Sequence, residues 1–370
     1  AALFYLLTLY CFVRGSDSDA SFGWLVGAWL ACAAGVATKE TVATAPIVVL
    51  LYDRAFVAGT LWVALRSRWR FYLGLAASWG LAGWLVWTGH SRGGTAGFGS
   101  PAQWWEYAML QPSAIIHYVR LVFWPRALVF DYGPFQLATW QTAWIGAALL
   151  APVLAATIWL LIRRPAAGFL AASFFLLLAP SSSIIPITTQ VWAEHRMYLP
   201  LAILVCAGVL SLHRLCGRRI THLIVSLLAI IAVIMTWRRN QTYQSPLRLW
   251  EETVAVCPSN PRAHVNLGEI LARSGRYTDA VFHFREAIRL QPNYVSALYN
   301  LGTVLLAEKR PDDALSPLMQ AVALSPDFPE AAYNLGNAFA ALQRPADAAR
   351  YYIQAIRLQP DRAKVHYNLA

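Results

Sequence analysis

The sequence predicts an all-α protein in two parts, a multi-pass transmembrane helical domain followed by an α-solenoid of helical repeats. Three observations carry that expectation. The first is composition. Of the 370 residues 58% are hydrophobic, 13% are charged and 16 are Trp, with the apolar residues crowded before Pro261. That is too apolar for a chain soluble along its whole length. The second is periodicity: Asn266-Leu267-Gly268, Asn300-Leu301-Gly302 and Asn334-Leu335-Gly336 recur every 34 residues, and Asn368-Leu369 begins a fourth copy. The third is charge. Lys and Arg outnumber Asp and Glu by 18 to 9 before Pro261 and by 12 to 10 from there on, so most of the net +11 belongs to the apolar part. Its basic residues gather at the ends of apolar runs, as in Arg66-Ser67-Arg68-Trp69-Arg70, Arg163-Arg164 and Arg218-Arg219. Basic helix ends of this kind orient a chain in a membrane; they do not form the continuous basic face that a nucleic acid requires, and no nucleic-acid partner is expected.

The repeats keep more than one position in register. Ala280, Ala314 and Ala348 share the period of 34, as do Ala287, Ala321 and Ala355, and Pro292, Pro326 and Pro360. Small residues allow two helices to cross closely, and a proline closes each unit. This is the signature of tetratricopeptide (TPR) repeats. Residues 261–370 then hold three full repeats and the start of a fourth. Residues 241–260 are polar, and Trp250 and Pro258 stand where Phe284 and Pro292 stand one repeat later, which suggests a degenerate half-repeat linking the array to a membrane domain at 1–240.

A bilayer-crossing helix needs about 20 predominantly apolar residues. About eight runs approach that length: 1–13, 22–37, 41–52, 71–88, 139–162, 166–179, 198–215 and 220–237. The stretch 104–124 is ambiguous, because it contains Glu106, Pro112, His117 and Arg120. If it does not cross, the basic loops 54–70, 163–164 and 214–219 fall on the cytoplasmic side. Residues 39–40, 89–133, 181–196 and the TPR array then fall on the other, with Arg238-Arg239 against the trend. The Ala/Arg/Trp-rich composition points to a bacterial inner membrane with the array in the periplasm. The chain opens inside an apolar run without a methionine and stops within a repeat helix, and is expected to be an internal fragment. Cys11, Cys32, Cys206, Cys216 and Cys257 show no paired spacing, so neither a disulfide framework nor a zinc site is expected.

Four constellations could carry chemistry. Lys39-Glu40 lies between two apolar runs; a charge at membrane depth costs roughly 2.5–3.5 kcal/mol and marks a functional candidate, although a helix-end charge reaching the interface would look the same. Glu194-His195-Arg196 sits where a polar loop meets an apolar run. Guanidinium and imidazole there could hold a phosphate or pyrophosphate, or Trp192 and Tyr198 could simply anchor the loop at the interface. Asp131 precedes Gly133-Pro134, where an Asp is often only a turn residue. Asn266, Asn300, Asn334 and Asn368 occupy one position on the first helix of every repeat. An amide offers a donor and an acceptor, so such a column could bind an extended peptide backbone, or it could bond between neighbouring repeats.

In order along the chain come Thr38-Lys39-Glu40-Thr41, then Tyr118-Val119-Arg120-Leu121-Val122-Phe123-Trp124-Pro125 with Phe130-Asp131-Tyr132. Ala193-Glu194-His195-Arg196-Met197-Tyr198-Leu199-Pro200 and the TPR array follow. This series resembles the transmembrane and TPR repeat-containing O-mannosyltransferase family and its prokaryotic relatives. The resemblance implies a GT-C glycosyltransferase fold and a transfer of sugar from a polyprenyl-phosphate carrier to protein on the extracytoplasmic side. It also implies a catalytic acid in a first extracytoplasmic loop, which would precede Ala1, so no catalytic base is named. What remains would serve the donor: Lys39, His195 and Arg196 as carrier-phosphate ligands, with Glu40, Asp131 and Glu194 orienting them. No cofactor is expected beyond the lipid-linked donor, and a carboxylate-bound divalent ion stays open. The partners expected are acceptor proteins on the concave face of the array, the polyprenyl-phosphate lipid and the membrane. A lipid-linked oligosaccharide ligase or polymerase, and a non-enzymatic membrane-anchored scaffold for envelope assembly, are the two rival readings.

Overall fold

The computed structural model describes residues 1–17, 21–88, 104–125, 128–133, 140–180, 194–361 and 363–369. The described residues are helical with no strand, and the chain divides into two compact units. One comprises Ala1–Leu128 with Phe135–Ala232, the other Val129–Pro134 with Val233–Ala370.

The first unit contains α1 (Ala2–Asp17), α2 (Ser21–Thr38), α3 (Ala45–Tyr52), α4 (Leu61–Ser67), α5 (Trp69–Thr88), α6 (Trp104–Phe123), α7 (Trp140–Arg163) and α8 (Pro165–Leu178). It also holds most of α9 (Tyr198–Tyr243). Two of these helices are long and apolar enough to cross a bilayer, Ala143–Arg163 and Tyr198–Tyr243. A third span is possible by the same criteria if the pair Thr41–Val57 and Leu61–Ser67, bent by 108°, counts as one. The two runs expected at 198–215 and 220–237 are thus one continuous assignment, broken inside by Gly217 at φ 72°, ψ 174°. A left-handed backbone there is cheap only for glycine.

The core of this unit is built where small residues let large ones in. Phe12, Cys32, Val42, Val49 and Leu75 are buried together, with Phe169 and Leu177 of α8 added to them. A Cβ on Gly35 would stand 2.7 Å from Val42, and one on Gly74 would meet the Trp29 indole, whose Nε1 donates to the Phe71 carbonyl at 3.0 Å. At the bend after α3 the fully buried Asp53 accepts from Arg68 Nη1 at 2.9 and 3.1 Å and from Tyr72 Oη at 2.6 Å. A buried carboxylate requires such saturation. A second apolar cluster joins α6 (Ala114, Ile115, Tyr118), α8 (Phe174, Leu178) and Met197, just before α9.

The second unit is the repeat array: α10 (Pro246–Val256), α11 (Pro261–Arg273), α12 (Tyr277–Leu290), α13 (Val295–Ala307), α14 (Pro311–Leu324), α15 (Pro329–Ala341), α16 (Pro345–Leu358) and α17 (Ala363–Leu369). Proline stands in the first turn of α10, α11, α14, α15 and α16, where its missing N–H costs nothing. The periodic residues have the roles their size predicts. Ala280, Ala314, Ala287, Ala321 and Ala355 are 0% exposed and Ala348 is 3% exposed. A Cβ on Gly268 would stand 2.7 Å from the Phe284 ring, and Cβ atoms on Gly302 and Gly336 would strike Leu318 and Tyr352. The turn inside each repeat needs one left-handed residue, filled in register by Gly275 (φ 78°), Lys309 (φ 59°) and Gln343 (φ 56°).

Segment 129–134 belongs to this unit although the chain on both sides of it belongs to the first. Phe130 packs edge-on against Trp250 (5.4 Å between centroids) and Tyr243 (6.0 Å). Polar contacts, described below, complete the attachment.

Candidate functional site

Arg196 is presented by a short turn of 3-10 helix, Glu194–Met197, that leads into α9. It is 8% exposed, and its Nη1 donates to the hydroxyl of Tyr107 at 3.2 Å. Tyr107 is fully buried on α6, and one turn later Gln111 Nε2 donates to the Tyr107 carbonyl at 3.1 Å. Helical spacing of four residues puts the two on one face. The other end of that amide, Gln111 Oε1, is buried without a hydrogen-bond partner among the described residues, as is Ser173 Oγ on α8. Neither Tyr107 nor Gln111 was expected from the sequence. Only the fold reveals that α6 turns Tyr107 and Gln111 inward, since among its several polar residues these two carry no motif.

The side chains of Glu40, Glu194 and His195 lie outside the described residues. Lys39 is half-buried at the start of the 3-10 helix Glu40–Thr44, with φ −163° and ψ 139°. Its N–H donates to the Gly35 carbonyl at 3.0 Å and its carbonyl accepts from Val42 at 3.2 Å. Lys39 therefore marks the point where α2 ends and the chain turns toward α3.

Asp131 belongs to the other unit. One carboxylate oxygen pairs with Arg262 Nε at 2.8 Å, and the other accepts the Gly133 N–H at 2.9 Å. Its carbonyl accepts from Asn260 Nδ2 at 2.8 Å. Asn260 at the same time caps α11, its Oδ1 accepting from the N–H groups of Arg262 (3.0 Å) and Ala263 (3.2 Å). The turn reading of Asp131 is met by the Gly133 contact, and its charge is committed to α11, the first helix of the first full repeat.

The asparagine column is engaged between repeats. Asn300 Nδ2 donates to Glu269 Oε1 at 2.8 Å, Asn334 Nδ2 to Thr303 Oγ1 at 2.8 Å, and Asn368 Nδ2 to Asn337 Oδ1 at 3.0 Å. Each bond reaches back 31 residues, so each amide locks one repeat onto the one before. Asn266, first in the column, donates instead to the Arg262 carbonyl of its own helix at 2.9 Å. The partners Glu269, Thr303 and Asn337 are themselves 34 apart, a polar column that periodicity alone could have found. Among the described residues no group of three or more His, Cys, Asp or Glu is placed to hold a metal ion.

Comparison with known proteins adds the following. Tetratricopeptide-repeat family models match residues 259–327 and 305–370. A Caenorhabditis elegans protein, Protein O-mannosyl-transferase F38B6.6, is 30% identical over 182 residues, 47% of this chain and 26% of that protein. Mouse Protein O-mannosyl-transferase TMTC4 is 33% identical over 123 residues, 32% of this chain and 16% of that one. Drosophila melanogaster Protein O-mannosyl-transferase Tmtc2 is 32% identical over 126 residues, 32% of this chain and 13% of its own length. The matched part of the chain thus spans about a quarter or less of these relatives. Among solved structures, MamA (20% identical, 36% of this chain and 72% of that chain, TM-score 0.33) shares the helical repeats. So does YrrB, described as a TPR protein with an unusual peptide-binding site (21% identical, 44% and 80%, TM-score 0.32). At these TM-scores the likeness adds nothing to what the repeats themselves establish. The family resemblance read from the ordered motifs is matched by relatives named as protein O-mannosyl-transferases.

Proposed function

We propose that this chain is part of a membrane glycosyltransferase that moves a sugar from a polyprenyl-phosphate carrier to protein on the extracytoplasmic side. In this reading the TPR array recruits the acceptor. The observation that carries it is the similarity to three proteins named as O-mannosyltransferases, together with a TPR array in the same chain. The geometry of the first unit is compatible with the donor half of that reaction. Arg196, held in place by Tyr107, presents a guanidinium suited to phosphate oxygens. A buried acceptor such as Gln111 Oε1 would be satisfied by a sugar hydroxyl. Lys39 and His195 are retained as further phosphate ligands, and Glu40 and Glu194 as the acids that orient them. A bacterial inner membrane with the array in the periplasm completes the proposal.

For acceptor recruitment, one N–H of each of the Asn300 and Asn334 amides is engaged between repeats, so the column would offer a peptide its carbonyl oxygens and its second N–H groups. Extended polypeptide N–H groups complement such acceptors.

The test uses the full-length parent protein, a labelled polyprenyl-phosphate sugar and a panel of candidate acceptor proteins. Arg196→Ala with Lys39→Ala is expected to abolish transfer and weaken carrier binding. Transfer that survives the double substitution refutes the phosphate assignment. A wild-type protein that binds acceptors yet transfers no sugar favours the scaffold reading.

A further inference from the structure

We infer that His264 and His283 form a proton-sensitive latch between the two helices of the first full repeat. The two rings face each other from α11 and α12, Nδ1 to Nδ1, at 3.0 Å. His264 is 4% exposed, and its Nε2 lies 3.0 Å from the Pro258 carbonyl. A carbonyl can only accept, so His264 Nε2 carries the hydrogen and, in the neutral ring, Nδ1 keeps its lone pair. The hydrogen between the rings therefore belongs to His283 Nδ1. The pair thus ties three segments together: α12 to α11, and α11 back to the turn that follows α10.

Proton counting gives the behaviour. A proton taken up by His283 sets a positive charge in a half-buried contact against the nearly buried His264 ring, so the charged form is favoured when α11 and α12 part and water reaches it. The groups facing His283 are His264 on α11, Asp279 and Glu286 on α12, and Arg276 at the N-cap of α12; the turn after α10 contributes the uncharged Pro258 carbonyl to His264. Both carboxylates are already paired, Asp279 with Arg276 at 2.7 Å and Glu286 with Arg289 at 2.9 Å. Burial, followed by the neighbouring His264, pushes the His283 imidazole below its ordinary value, and the two carboxylates only oppose that. With the folded value lowered, the latch is intact above the unfolded value of about 6.5. Its contribution is lost as pH falls from there through the folded value.

The array provides its own control. At the equivalent positions the next repeat has Leu298 and Pro317, and the third has Ala332 and Tyr351. None of these is an imidazole.

The experiment is hydrogen exchange of the full chain in detergent at about pH 7.5 and about pH 5, the interval over which histidine changes charge. Rates are corrected for intrinsic exchange. Opening of α11–α12 is expected to rise about fivefold relative to α13–α14 on acidification, the scale of one lost hydrogen bond. His283→Asn, which supplies a neutral donor near the Nδ1 position, is expected to remove that difference. Equal acid responses in the two repeats overturn the proposal, as does a His283→Asn protein that keeps the wild-type response. If that variant fails to fold, the comparison between repeats in the wild-type chain decides alone.

Discussion

Adding one methyl group at Gly336 should unfold part of the array, although the same change in an ordinary helix would stabilise it. Alanine gains about 1 kcal/mol over glycine in a helix interior. Against that, a Cβ at Gly336 would lie 2.5 and 2.6 Å from ring atoms of Tyr352, closer than carbon atoms approach one another. Forcing atoms into a packed core costs typically about 1–3 kcal/mol. The ring has little freedom to retreat. Its hydroxyl donates to Asn337 Oδ1 at 2.9 Å, its face meets Tyr333 at 5.9 Å, and it is 3% exposed. Moving it would also give up that hydrogen bond, about another 1 kcal/mol. The net expectation is a loss of about 1–3 kcal/mol, at about 2–4 °C of melting temperature per kcal/mol for a unit of this size. Thermal melting of the full chain followed by helical circular dichroism measures it. In a Tyr352→Ala background the Gly336→Ala change should cost little beyond Tyr352→Ala itself, because the ring that the methyl strikes is gone. A Gly336→Ala protein that melts at or above the wild-type temperature would refute the claim that helix approach, and not helix propensity, sets residue choice at this position.

Three further outcomes are expected. Asp131→Asn removes the charge that pairs with Arg262 at 2.8 Å and should loosen segment 129–134 from the array by about 1–3 kcal/mol, read as faster hydrogen exchange there at an unchanged rate in α13–α16. Asp53→Asn leaves Arg68 without its carboxylate in the bend after α3; because Arg68 keeps contact with solvent, the cost should be about 2–4 kcal/mol and not the full value of a buried pair, seen as a lower melting temperature in detergent. Lys309→Gly and Gln343→Gly relieve left-handed backbone at φ 59° and 56°, and each should raise the stability of its own repeat by up to about 1 kcal/mol, measured by denaturant midpoint.

The array was legible in the sequence because each repeat solves the same packing problem with the same residue sizes. Gly268, Gly302 and Gly336, and the two alanine columns, could be assigned to close helix crossings before any coordinates. The asparagine column was equally visible, but its role was not. Whether an amide faces a ligand or the preceding repeat depends on a 31-residue reach between helices, and only the folded array shows Asn300 on Glu269 and Asn334 on Thr303. The first unit was legible mainly as apolar runs. Their lengths do not say which runs cross, which bend, or which helix carries an inward polar edge. Tyr107 and Gln111 on α6 had no sequence signal for that reason, and neither did the Asp53–Arg68–Tyr72 clamp, whose members are brought together by a bend.

Local spacing, then, determined the helical class and the repeat register, because periodicity and residue size are properties of neighbouring positions; the ordered motifs carried the resemblance to O-mannosyltransferases. Tertiary structure alone decided that Asp131 serves the array, that Arg196 is buried against Tyr107, and that His264 meets His283. These are meetings of residues distant in sequence, fixed by how helices pack and not by the sequence around any one of them.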